Sequence, residues 1–148
     1  MKACALILGI ALALSSGCAG GDDSLDGSVS EFYPLAFDSV RARLYDSELA
    51  IEYVREDGET VMRVTVRRDE RDPQGPATFD LSAVGDLTGS AGGVELPAFV
   101  DGRLVLDSYR PRDRARVEGS FEARVASGQA RLSVRGTFST RLELVEDL

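Results

Sequence analysis

The chain contains no histidine and no tryptophan, and its single lysine is Lys2. Without histidine, the side chain that most often serves as general base or metal ligand near neutral pH is missing. Its two cysteines, Cys4 and Cys18, fall in the first 18 residues. The remainder therefore has no thiol for nucleophilic catalysis, thiolate metal ligation or disulfide cross-linking. Long apolar runs are missing too: the one apolar run, Ala3 to Leu14, is shorter than the ~20 residues a membrane-spanning helix needs. Basic charge is scarce, with 17 Lys and Arg against 25 Asp and Glu. That excess of acid argues against general nucleic-acid binding, in which neutralisation of phosphates by basic side chains dominates affinity.

What is present begins with MKACALILGIALALSSGC, a charged start at Lys2, an apolar middle and small residues at the end. This order reads as a secretory signal. Its last five residues, Leu14-Ser15-Ser16-Gly17-Cys18, resemble the lipobox of bacterial lipoproteins. The small-small-Cys ending is intact, although Ser15 stands where that pattern commonly has leucine and Leu14 lies one place further back. The resemblance implies removal of the signal, residues 1–17, and attachment of a diacylglyceryl group and an N-acyl chain to Cys18. Two or more acyl chains anchor a protein stably, since each buried CH₂ contributes ~0.8 kcal/mol. Ala19 follows the cysteine, in place of the Asp that resembles an inner-membrane retention signal. The resemblance thus implies an outer-membrane protein facing the periplasm. The 131 residues left by such processing carry 16 arginines against 25 acidic groups, a formal charge of −9.

Residues 18–30 comprise the cysteine and the small, polar, acidic stretch AGGDDSLDGSVS. Their composition predicts a flexible tether, with a single folded domain over 31–148. In that domain apolar and polar residues alternate with the period of strands. Val40, Ala42 and Leu44 face one way, Arg41 and Arg43 the other. ELAIEYVRE, Asp57-Gly58 and TVMRVTVRR follow. Asp-Gly between alternating runs predicts a hairpin with a two-residue type I′ turn. That turn pairs Ile51 with Val64, Leu49 with Val66 and Tyr53 with Met62, and on the other face Glu52 with Arg63 and Glu48 with Arg67. A turn at Asp46-Ser47 likewise opposes Leu44 to Leu49, Ala42 to Ile51 and Arg41 to Glu52. Apolar meets apolar on one face and opposite charges meet on the other. A helix over Ser39 to Val54 leaves Leu49 and Tyr53 off its apolar face and does not account for the charge pairing.

Beyond the loop RRDERDPQGP, short strands are expected at Thr78–Ser82, Val94–Val100 and Arg103–Tyr109, with a turn at Asp101-Gly102. Pro97 confines its strand to an edge or bulge, because proline cannot donate to the ladder. GDLTGSAGG lacks the lysine of a phosphate-binding loop and reads as a mobile connection. The C-terminal part writes one pattern twice, VEGSFEARV from Val117 and VRGTFSTRL from Val134, seventeen residues apart. Two hairpin registers keep both apolar faces together. A two-residue Ser127-Gly128 loop opposes Gly119 to Gly136. A four-residue loop opposes Gly119 to Phe138, Phe121 to Gly136 and Glu122 to Arg135. The second covers each glycine with a phenylalanine ring and separates like charges, and is the register expected. With about eight strands, the fold expected is all-β, an antiparallel β-sandwich, the alternative being a small closed β-barrel. Paired Gly-(Ser/Thr)-Phe strands after a lipobox resemble uncharacterised β-rich bacterial lipoprotein domains over residues 115–144, a likeness that brings no activity with it.

Few residues suggest chemistry. Asp69, Glu70 and Asp72 form the densest acidic group, but among Arg67, Arg68 and Arg71 they read as a solvated salt-bridge loop. They also lack calcium-loop spacing. No catalytic residue, cofactor or metal site is expected. In RPRDRAR the basic residues Arg110, Arg112, Arg114 and Arg116 alternate, so an extended chain would line all four along one face. They form a candidate anion-binding stripe for lipid phosphates, acidic glycans or an acidic partner, against a solvated loop balanced by Asp107 and Asp113. The function these features point to is a lipid-anchored envelope protein that binds or holds another envelope component. An apolar-ligand carrier and a carboxylate-based hydrolase are the alternatives.

Overall fold

A computed structural model describes residues 22–68 and 75–146. In chain order its strands are β1 (Ser24–Asp26), β2 (Ser39–Leu44), β3 (Glu48–Val54), β4 (Thr60–Arg67) and β5 (Ala77–Asp80). One helical turn, α1 (Leu81–Val84), leads into β6 (Gly85–Thr88), β7 (Ser90–Ala91) and β8 (Val94–Glu95). Three long strands complete the chain: β9 (Ala98–Ser108), β10 (Arg116–Ser127) and β11 (Ala130–Leu144).

The β2–β3–β4 meander has the register its turns and charges predict. Leu44 opposes Leu49, Ala42 opposes Ile51 and Arg41 opposes Glu52; Ile51 opposes Val64, Tyr53 opposes Met62 and Glu52 opposes Arg63. The Asp57-Gly58 turn is wider than a two-residue loop. The Arg55 N–H donates to the Glu59 carbonyl at 2.9 Å, as does the Gly58 N–H to the Arg55 carbonyl. Only Gly58 has positive φ, 90°. A bulge between Tyr53 and Val54 absorbs the extra residue and preserves the pairing beyond it.

The repeated segments form the β10–β11 hairpin in the register in which rings cover glycines. Gly119 opposes Phe138, Phe121 opposes Gly136 and Glu122 opposes Arg135. A β-carbon on Gly136 would lie 2.6 Å from Phe121 Cε1 and from Tyr53 Oη; one on Gly119 would lie 2.9 Å from Phe138 Cζ. Pairing continues to Ser127 and Ala130, so the turn is Gly128-Gln129 rather than four residues long.

The chain between these units departs from expectation: the strand expected over Thr78–Ser82 ends at Asp80, where α1 begins, and that expected over Val94–Val100 is interrupted at Leu96 and Pro97. Asp101-Gly102 is not a turn: both residues lie within β9, where Asp101 opposes Arg124 and Gly102 opposes Ala123. A β-carbon on Gly102 would come within 2.9 Å of Ala123 Cβ, so this glycine serves close strand approach. Pro97 stands just before β9, outside the ladder. Nor is GDLTGSAGG a mobile connection. Its first four residues are β6, paired with β4, and β7 pairs with β8 around Gly92-Gly93, whose φ values are 60° and 80°.

Apart from β7 and β8, which form a separate two-stranded sheet, nine strands form one continuous sheet in the order β5-β9-β10-β11-β2-β3-β4-β6, with β1 also on β11. Its terminal strands, β5 and β6, are joined by α1, where Asp80 caps the turn by accepting from the Ser82 N–H at 3.0 Å. Leu81 in that turn is fully buried. The all-β class is as expected, and the single sheet curls into a nearly closed barrel, the alternative to a two-sheet sandwich. The pairing is antiparallel except between β11 and β2, where Leu142 lies beside Ala42 and Leu144 beside Leu44. Strand β11 is long enough to take β1 on its edge at Arg135–Thr137 and β2 further along. The interior is filled by Ile51, Tyr53, Met62, Val64, Leu104, Leu106, Phe121 and Leu142, all fully buried.

The fold begins before Glu31. Residues 24–26, expected in the tether, form β1, and a 3-10 turn at Ser28–Glu31 buries Val29 completely. Leu25 packs against the core, and Ser24 Oγ meets Thr137 Oγ1 at 2.8 Å. Two apolar side chains and a free strand edge suffice to dock a stretch whose composition is otherwise polar. Among the described residues, no helix is long and apolar enough to cross a membrane.

Candidate functional site

Strand alternation turns one side chain in two outward, and register aligns these into rows. One row crosses β5, β9, β10, β11 and β1 as Asp80, Arg103, Glu122, Arg135 and Asp26, alternating in sign. Arg135 Nε lies 2.5 Å from Asp26 Oδ1, and Arg103 lies 3.5 Å from Glu122. One step along the strands, Arg124 grips Asp101 through two nitrogens, Nε at 2.8 Å. That guanidinium holds the Asp101 carboxyl below the usual carboxylate range, and Arg124 is raised in turn. On the other side of the row stand the hydroxyls of Ser120, Thr137 and Ser24. Of the charged residues, all but Asp26 line, together with Ser28 and Ser133, a groove of about 1010 Å³.

The groove offers fixed donors and acceptors along its charged row. In its central row the carboxylates alternate with guanidiniums, so no two of them adjoin as an acid–base pair requires. Among the described residues, no group of three or more His, Cys, Asp or Glu could hold a metal. Exposure is high where it matters for contact: the Arg103 and Glu122 side chains are 60% and 68% accessible.

The second feature is at the far end of the β10–β11 hairpin. Arg110, Arg112, Arg114 and Arg116 are all exposed, but the stretch is not extended. The Ala115 N–H donates to the Arg112 carbonyl at 3.0 Å, Arg114 has φ of 60°, and only Arg116 lies in a strand. Instead of a four-residue stripe, the structure places Arg116 directly opposite Arg141. Thr140 Oγ1 donates to the Val40 carbonyl at 3.1 Å and Leu142 pairs with Ala42, which sets Arg141 beside Arg41. Like charges directly opposed across a ladder are unfavourable. Glu118 relieves Arg116 through an ion pair, and its carboxyl is held low by Arg116 and by the Ser139 hydroxyl. Arg141 was legible once the hairpin register was fixed; Arg41 was not, because nothing local signals the parallel pairing of β11 with β2. Beside Ser139, burial raises the Asp23 carboxyl, opposed by the hydrogen bond it accepts from the Ser139 N–H.

The outward face of the meander carries a buried carboxylate. Glu52 is ringed by Arg41 at 3.2 Å, Arg63 at 3.3 Å and Arg43 at 3.8 Å. Arg63 also pairs with Glu48 and lies over the Tyr45 ring, 5.9 Å from its centroid. These contacts tie three strands together. Cys18 and the acidic group Asp69, Glu70 and Asp72 lie outside the described residues. No protein-family profile, curated protein or solved structure matches the chain.

Proposed function

We propose that this chain is a lipid-anchored envelope protein, attached through acyl chains on Cys18, whose domain binds another envelope component through the grooved outer face of its sheet. The observation that carries the reading is the five-strand row of exposed, alternating charge from Asp80 to Asp26, bordered by hydroxyls, whose members from Asp80 to Arg135 line the groove. Such a face suits a polar partner with its own pattern of charges, because complementary charges set register and exclude wrong partners. The interior supports the same choice over an apolar-ligand carrier, since large side chains fill it. A hydrolase is less well supported, because the acids in the row alternate with arginines. The anchor rests on the lipobox-like ending at Cys18 and on acyl-chain energetics.

A photoreactive amino acid at position 122, introduced in cells, tests the binding face. A discrete adduct that is lost with Arg103→Glu and Arg135→Glu, and is absent when the probe stands at position 57, supports the reading. Equal adducts from positions 122 and 57, or none from 122, would sink it. Comparing the wild type with Cys18→Ala in the same assay shows whether anchoring is needed to reach the partner.

A further inference from the structure

We infer that the end of the barrel carrying Arg110, Arg112, Arg114 and Arg141 is seated on the anionic phosphate headgroups of the membrane, an inference that rests on the acyl anchor at Cys18 proposed above. The chain enters the fold beside Thr137 and Ser139 of β11. Asp22 already touches the domain, its carbonyl accepting from Thr137 Oγ1, and Asp23 accepts from the Ser139 N–H at 2.7 Å. Ser139 is two residues from Arg141. Three residues lie between Cys18 and Asp22, and the four residue steps span at most about 14 Å when fully extended. An acylated Cys18 therefore cannot hold the domain far from the bilayer. It brings this end of β10 and β11 to the surface, while the Gly128-Gln129 turn stands at the other end of two strands about 40 Å long.

Charge at this end fits that position. Elsewhere six outward arginines have carboxylate partners: Arg103 with Glu122, Arg124 with Asp101, Arg135 with Asp26, and Arg41, Arg43 and Arg63 with Glu52; Arg67, which donates to the Ala83 carbonyl, and Arg131 stand singly in other parts of the surface. Among the described residues, Arg110, Arg112, Arg114 and Arg141 have no carboxylate partner, and Arg141 donates only to the Arg114 carbonyl at 3.1 Å. Two acids close by accept from backbone, Asp23 from the Ser139 N–H and the exposed Asp113 from the Leu144 N–H at 3.3 Å. Asp22, Asp107 and Asp113 oppose the arginines, so the docking is modest in strength and relies on the anchor for proximity. Guanidinium matches phosphate in geometry as well as charge. Each such residue near an anionic surface shifts partition about fivefold.

The test places a photoreactive amino acid at position 112 or at position 129 of the full chain, in cells fed labelled phosphate and labelled fatty acid. A phospholipid adduct is expected from 112 and not from 129. Replacing Arg110, Arg114 and Arg141 together with Gln should lower the adduct at 112 by at least about fivefold, whereas Lys at the same three positions should largely preserve it. An unchanged thermal melt keeps loss of fold apart from loss of docking. An acylated Cys18 with no phospholipid adduct at 112, or with equal adducts at 112 and 129, overturns the docking and leaves the anchor standing. An unacylated Cys18 overturns both.

Discussion

Replacing Gly136 with alanine tests the packing logic of the C-terminal hairpin. The new β-carbon would stand 2.6 Å from both Phe121 Cε1 and Tyr53 Oη, and 2.9 Å from the Ser24 carbonyl oxygen. None of these atoms can retreat freely. The Tyr53 hydroxyl donates to the Thr137 carbonyl at 2.8 Å, and its ring is wedged edge-on between Phe37 and Phe121, with centroids 5.0 and 5.9 Å away. Ser24 belongs to β1, paired to the same strand. Overpacking of this kind costs about 1–3 kcal/mol, offset by at most about 1 kcal/mol from the stiffer unfolded chain. The expected loss is about 2 kcal/mol in urea unfolding followed by circular dichroism, with an unchanged m value. Phe121→Leu removes the Cε1 atom, so the double variant should be less destabilised than the sum of the singles by at least about 0.5 kcal/mol. A Gly136→Ala protein as stable as the wild type, or strict additivity with Phe121→Leu, would refute the covered-glycine account.

Three further outcomes are expected. Glu52→Gln should destabilise by about 2 kcal/mol, below the 3–5 of a fully buried pair because its arginines are partly exposed; urea unfolding checks it. Val29→Ala should cost about 2 kcal/mol, since this fully buried side chain sits in a stretch that composition marks as tether; a neutral result would free that stretch from the fold. Because the folded Asp23 carboxyl is raised, it holds its proton more tightly folded than unfolded, so its burial penalty is fully present at neutral pH and relieved as pH falls through its folded value. Asp23→Asn should therefore be more stable than the wild type at pH 7 and should lose that advantage in acid, as parallel melts at the two pH values would show.

How far the fold was legible depended on whether a signal was local. The meander could be read because short turns fix register and Arg41, Glu52 and Arg63 then pair across it. The C-terminal hairpin could be read because only one register covers both glycines. Asp101-Gly102 misled because Asp-Gly is a turn signal only where the chain reverses, and close packing on Ala123 uses the glycine differently. Strand β1 was hidden because Leu25 and Val29 are few, and their docking depends on an edge that β11 supplies from more than a hundred residues away. The candidate site divides the same way. The exposed loop with Arg110, Arg112 and Arg114 stood out by composition, whereas the row from Asp80 to Asp26 exists only once five strands are aligned.

The most direct measurement is the mass of the mature protein's N-terminal peptide, recovered from the cell envelope. The account predicts a chain that begins at Cys18 and carries a diacylglyceryl group with an added N-acyl chain. A chain beginning at any other residue, or an unmodified Cys18, would contradict the anchor and the membrane-seated orientation drawn from it.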